Sequence, residues 1–143
     1  MTVAVDVATH LANSCGPLIL GENCFSGSER PADDVIPHVS VWCIGTGGID
    51  SEPWHDGGKR GGIVKPSCSI IVRGDAEDID AHVELADLVY DAVHMQVPDG
   101  YLEARALSSS PTYLGLSALG EPKSSINLYL RQLVQPLPIW YGV

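Results

Sequence analysis

Ser67-Cys68-Ser69-Ile70-Ile71-Val72-Arg73-Gly74-Asp75-Ala76-Glu77-Asp78-Ile79-Asp80-Ala81-His82-Val83-Glu84-Leu85-Ala86 is the stretch in which the hydrophobic period of the chain changes. From Ser67 to Arg73 the pattern has a period of two. Cys68, Ile70 and Val72 share one face, which predicts a strand half-buried in a sheet. After Gly74 the period becomes helical and stays so to His94. Asp75 suits an N-cap, with Asp78 three residues on, as in a capping box. Glu77, Asp78 and Asp80 favour the positive end of the helix dipole. Ile79, Val83, Ala86, Tyr90 and Val93 recur at helical spacing and predict the buried stripe. Asp80, Glu84, Asp87 and Asp91 form an acidic stripe beside it, read as a solvated outer face or the seat of a basic partner. A strand feeding an acidic helix defines an α/β unit.

Reading outward, Val97-Pro98-Asp99-Gly100 turns the chain, and Tyr101 to Leu107 predicts a strand. Ser108 to Pro111 interrupts it. Tyr113 to Leu119 reads as a short extended piece, and Gly120-Glu121-Pro122 as a turn. Ser125 to Val134 predicts the last strand, with Ile126, Leu128 and Leu130 inward. On the other side, Thr2 to Cys15 predicts an amphipathic helix on Val3, Val7 and Leu11, stopped by Gly16-Pro17. Residues 21–34 are turn-rich. His38 to Ile44 predicts a strand with Val39, Val41 and Cys43 on one face, and Trp42 and Ile44 giving the other a partly apolar character. Gly45 to Pro66 is read as one long loop with seven glycines, joining two antiparallel strands. Loops of that length inside a compact domain are usually functional or disordered.

The expected architecture is α+β: a mixed, mainly antiparallel sheet of about four strands, two helices on one face and a long glycine-rich hairpin loop. Residues 1–134 form the domain and residues 135–143 an apolar tail containing Trp140. At 143 residues the chain suits one domain with an ordinary core. The net charge of −10 argues against a nucleic-acid backbone binder, which needs clustered cations. No run is long and apolar enough for a membrane helix, and no signal peptide is expected at the N-terminus. The four cysteines have wide, irregular spacings, which points to reduced thiols, some of them buried.

Motifs for chemistry fail one by one. Gly45-Thr46-Gly47-Gly48 follows a strand, but Asp50 replaces the third glycine of a dinucleotide loop, and Gly58-Lys59-Arg60 lacks the hydroxyl residue of a P-loop. His82-Val83-Glu84 matches half of a zinc deaminase signature without the cysteine half. It places His82 as a surface histidine beside the acidic stripe. Trp54-His55-Asp56 offers adjacent ligands with no third. The chain therefore predicts no catalytic residue, no metal site and no cofactor.

Leu18 to Cys24, the Ser67 to Arg73 strand entering Asp75 to His94, Ser110-Pro111-Thr112-Tyr113-Leu114-Gly115, and the final Ser125 to Arg131 strand together carry a resemblance. Over roughly Val3 to Leu133 the chain resembles the small phage minor capsid proteins grouped with siphophage tail terminators. The tail after Val134 and the length of the glycine loop fall outside that pattern. The resemblance implies a virion protein of the tail or neck, assembled in the host cytoplasm. It implies a homo-oligomeric ring, typically a hexamer, that caps the head-proximal end of the tail tube, with sheet toward the channel and helices outward. The implied partners are other copies of the chain, the tail tube protein, the head-completion or connector protein, and phage DNA passing through without specific binding. An acidic duct suits such passage because like charge prevents sticking. A tail tube or head–tail connector subunit is the neighbouring alternative. A small intracellular enzyme or ligand-binding domain, with the Gly45 to Pro66 loop as lid, is the alternative of another class.

The interface candidates are Trp42, Trp54, Lys59, Arg60, Tyr113, Leu114 and Trp140. Trp54 offers large apolar area at low rotamer cost. Lys59 and Arg60 are the only cations between Arg30 and Lys65, and they suit acidic neighbouring subunits.

Overall fold

The computed structural model describes residues 3–26, 37–45, 62–117 and 120–134. In chain order the elements are α1 (Val3–Ser14), β1 (Cys24–Ser26), β2 (His38–Gly45), β3 (Gly62–Val64), β4 (Ser67–Arg73), α2 (Ile79–Val93), β5 (Glu103–Ala106), β6 (Thr112–Leu116) and β7 (Pro122–Val134). The fold is α+β, with a mixed and mainly antiparallel sheet, as the periodicity predicts.

Seven strands collapse into fewer ribbons when their registers are followed. β3 and β4 hold one register against β7, from Gly62 opposite Val134 to Arg73 opposite Lys123. They are two pieces of one ribbon, broken where Pro66 has no N–H to give to the ladder. The Pro66 carbonyl still accepts from Leu130 N at 3.0 Å. β5 and β6 share the other edge of β7. β5 runs opposite Arg131 to Leu128, and Leu107 N extends the ladder to the Asn127 carbonyl at 2.9 Å. Residues 108–111 then leave it, and β6 rejoins with Thr112 opposite Ser125. The four expected ribbons are thus β2, β3–β4, β7 and β5–β6. The addition is β1, a three-residue strand parallel to β2. The expected 45–66 loop ends sooner than predicted, because residues 62–64 are β3; residues 46–61 lie outside the described part.

Both helices pack on one face. Val39 and Val41, Cys68, Ile70 and Val72, Ile126, Leu128 and Leu130, and Ala104 and Ala106 point into a single core with Val3, Val7 and Leu11 of α1. The described thiols Cys15, Cys24 and Cys68 are buried and form no disulfide. Burial, and to a lesser extent the nearby Cys15, pushes Cys24 up to about 11, so it stays a protonated packing group.

α2 differs from its prediction in start and in rotation. The cap is Asp78, whose carboxylate accepts from Ala81 N at 3.0 Å. Asp75 instead accepts from Glu77 N at 3.0 Å and holds a turn ahead of the helix. Two aspartates three residues apart compete for one cap, and the second wins. The buried stripe is His82, Leu85, Ala86, Val89, Ala92 and Val93. Of the predicted stripe, Ala86 and Val93 are buried and Tyr90 packs against the core, but Ile79 and Val83 are exposed, Val83 at 51%. The inward face is rotated by a little less than a quarter turn from the expected one. The expectation followed the bulky β-branched residues and treated His82 as polar surface. His82 is 2% exposed and hydrogen-bonded to Ser124 Oγ on β7 at 2.8 Å. Its ring fills the space above Gly74, where an added Cβ would lie 2.7 Å from His82 Cβ and Nδ1. Glycine at position 74 lets the end of β4 pass that close to α2.

The remaining inter-element ties are polar. Tyr101 Oη donates to Asp6 on α1 at 2.8 Å, and His10 Nε2 donates to the Ala92 carbonyl on α2 at 2.7 Å. Ala106 N donates to His94 Nδ1 at 3.1 Å, seating the end of α2 on β5.

Candidate interaction surfaces

Charge is sorted between the two layers. Neither helix carries a lysine or arginine, and α2 presents Asp80, Glu84, Asp87 and Asp91 on the side opposite its buried stripe. The described cations are Lys65, Arg73, Arg105, Lys123 and Arg131, all on strands or the joint between β3 and β4. By alternation, Arg73, Arg105, Lys123 and Arg131 point to the face that the helices leave open. Arg105 Nε and Arg131 Nη1 share the Glu103 carboxylate at 3.2 and 3.3 Å, and Arg73 pairs with Glu121 at 2.8 Å. Arg105 also lies over the Tyr129 ring, 4.8 Å from its centroid. These pairs are part-exposed and contribute little stability; their effect is to fix the side chains across the open face.

The second surface is the β5–β6 edge. All of β6 except Gly115 is exposed: Tyr113 at 56%, Leu114 and Leu116 with it, and Leu107 and Leu102 nearby. The third is a groove of about 390 Å³ on the other side of α2. Pro17 and Leu18 from the α1–β1 connection form one wall, and Ala81, Leu85 and Leu88 of α2 the other, with Asp75, Asp78 and Glu84 on its rim.

The three described interface candidates, Trp42, Tyr113 and Leu114, are not brought together. Trp42 sits on β2, on the open face, with Nε1 donating to Ser40 Oγ at 3.2 Å. Tyr113 pairs with Ser124 and so belongs to the helix face, with two ribbons between it and β2. Leu114 occupies the register shift between Tyr113 and Gly115, at the sheet edge. Trp54, Lys59, Arg60 and Trp140 lie outside the described residues. The groove escaped sequence reading altogether. Its walls come from segments far apart in the chain, and no local pattern links Leu18 to Leu85.

The His82–Ser124 pair has the distance of a nucleophile and its base. Its surroundings do not serve that chemistry. Both residues are buried, and His82 Nδ1 has no hydrogen-bond partner that could orient the ring. Burial lowers the His82 pKa, keeping the imidazole neutral. The pair acts as a strut between α2 and β7. Among the described residues no three His, Cys, Asp or Glu side chains cluster to hold a metal, and no helix is long and apolar enough to cross a membrane.

No protein-family model matches the chain, and no curated protein matches it. Among solved structures it is similar to a chain of the "Virion of native gene transfer agent (GTA) particle". The match covers 92% of this chain and 95% of that one, with a TM-score of 0.58 and 16% sequence identity. At that identity the likeness is one of fold, and it runs nearly end to end in both chains.

Proposed function

We propose that this chain is a structural protein of a tailed phage or phage-like particle. In this reading it forms a ring that caps the head-proximal end of the tail tube and joins it to the neck. The observation that carries the proposal is the nearly complete fold match, in both directions, to a chain of a virion particle. The phrases resembling tail terminators support the same class: three of them fall on β4–α2, β6 and β7. The exposed β6 edge and the sorting of charge between layers suit a subunit that is finished by its neighbours.

The partners in this reading are other copies of the chain in a hexameric ring, the tail tube protein, the head-completion or connector protein, and DNA in transit. The site is the virion, after assembly in the host cytoplasm, and the role is non-catalytic. Trp42, Tyr113 and Leu114 are the described interface candidates, and Trp54, Lys59, Arg60 and Trp140 join them on sequence grounds. Cryo-electron microscopy of the particle and native mass spectrometry of the purified protein test this. The expected results are density for the chain at the head–tail junction and a species six times the 15.2 kDa of one chain. Density within the tube or the connector would move the subunit to a neighbouring position. A protein that stays monomeric and is absent from particles overturns the proposal.

A further inference from the structure

The ring reading leaves open which surfaces of adjacent copies meet, and the structure carries an answer that rests on that reading. Among the described residues, β6 is an edge strand whose outer backbone N–H and C=O groups face no other strand. No acid or base occurs from Ala106 to Gly120, a long neutral stretch in a chain of net charge −10. What the stretch does offer is apolar area, in Tyr113, Leu114 and Leu116, and donors, in the hydroxyls of Ser108, Ser109, Ser110, Thr112 and Tyr113. Charged edges are the usual defence against unwanted pairing, and this edge has none.

The groove between Leu18 and Leu88 is its complement. Its walls are apolar, and its rim carries the carboxylates of Asp78 and Glu84, which are acceptors only. A neutral, donor-bearing ribbon can approach that rim without the repulsion that an acidic surface would meet. The two surfaces lie on opposite sides of α2. β6 runs along the edge of β7 away from β4, whereas the Pro17–Leu18 wall belongs to the connection that leads into β1 at the far edge of the sheet. They are different patches of one molecule, as a head-to-tail contact that closes into a ring requires.

We infer that the β6 edge of one copy, centred on Tyr113 and Leu116, docks into the groove between α2 and the Pro17–Leu18 turn of the next copy. The contact is heterologous, so each subunit uses both surfaces once.

Subunit mixing tests this. Tyr113→Glu sets a carboxylate against the acidic rim and leaves the groove intact; Leu88→Glu spoils the groove and leaves the edge intact. Both positions are exposed, and circular dichroism checks the fold. Should Tyr113→Glu misfold, Leu116→Glu replaces it. Native mass spectrometry is run on the full-length wild type, each variant and their equimolar mixture. The expected result is rings for the wild type, monomers for each variant at concentrations at least tenfold above those at which the wild type assembles, and a heterodimer in the mixture, where one intact interface remains. Rings from either variant overturn this inference and leave the ring reading standing, as does a mixture that stays monomeric while the wild type forms rings. A wild type that never assembles, alone or in particles, removes the ring reading and this contact with it.

Discussion

β7 and β6 lie side by side in one sheet, and they obey different rules. β7 alternates: Ser124, Ile126, Leu128 and Leu130 are buried, while the residues between them are partly or fully exposed. β6 is at least as apolar in composition, yet nearly every one of its residues is exposed. Composition alone therefore does not tell which apolar strand belongs to the subunit's own core. Alternation does, because a strand with a covered and an uncovered face must change residue type at every step. An apolar strand lacking that alternation, at an edge, is one the subunit does not cover by itself. α2 repeats the lesson. Leu85 and Val89 are buried, whereas Ile79, Val83 and Leu88, of the same chemistry, stand outside.

The largest expected effect separates the two strands. Leu128→Asp would bury an unpaired carboxylate in the core, a change in the class that costs more than about 4 kcal/mol. Leu116→Asp places the same carboxylate in water. The first variant should be insoluble or unfolded, and the second should match the wild type in thermal melting at concentrations where both are monomeric. A folded Leu128→Asp protein would mean that β7 does not carry the core.

The same substitution three residues apart on α2 comes next. In the monomeric subunit, Leu85→Ala removes packed methyl groups and should cost about 2–5 kcal/mol, whereas Leu88→Ala should stay within about 0.5 kcal/mol. Urea titration of both reads the difference as a shift in midpoint at constant slope. Val83→Asp belongs with Leu88. On the predicted stripe it would bury an unpaired charge, but on the observed exposed side it should be tolerated. Equal midpoints for the Leu85 and Leu88 variants would restore the predicted rotation of the helix.

These pairs also mark how far the sequence was legible. Both helices and the ribbons through β2, β4, β5 and β7 follow from hydrophobic period, since each is long enough to show one. β1 and β3 are three residues long and sit among turn residues and glycines, so no period can appear in them. The joining of β5 and β6 into one ribbon depends on the register of each with β7, which is a non-local fact. The rotation of α2 was missed because two stripes of similar spacing competed. What decides between them is a histidine held by Ser124, 42 residues away in the chain. Of the candidate surfaces, Tyr113 and Leu114 stand among the interface candidates read from the sequence and are exposed, and the groove was not anticipated.

His82 itself gives the third prediction. Burial lowers its folded-state pKa below the ordinary value of 6.5. Above that value the imidazole is neutral in folded and unfolded chains alike, and its contribution to stability is fully present. As pH falls through 6.5 the unfolded chain takes up a proton that the folded one resists, so stability declines. His82→Gln keeps a polar partner for Ser124 without this titration. Melting temperatures at about pH 7.5 and about pH 5.5 should fall more for the wild type than for the variant. Equal falls would show that the ring does not stay neutral in the fold.

The smallest effect lies in the segment that leads from the end of α2 toward the edge ribbon. Met95 has φ of +60°, the left-handed conformation in which helices commonly end on glycine. Its backbone is held there: His94 N donates to the Tyr90 carbonyl at 2.8 Å, and Met95 N donates to the Ala104 carbonyl on β5 at 3.0 Å. Its side chain, 68% exposed, gains little from packing. A non-glycine residue costs roughly 1–2 kcal/mol in this conformation, and glycine removes that cost while adding unfolded-state entropy of about 0.5–1 kcal/mol. Met95→Gly should therefore stabilise the protein by up to about 1 kcal/mol, and Met95→Val, with its β-branch, should destabilise it. If both variants melt with the wild type, the left-handed turn is not what seats β5 beside β7. The position of the edge ribbon would then rest on its ladder with β7 alone.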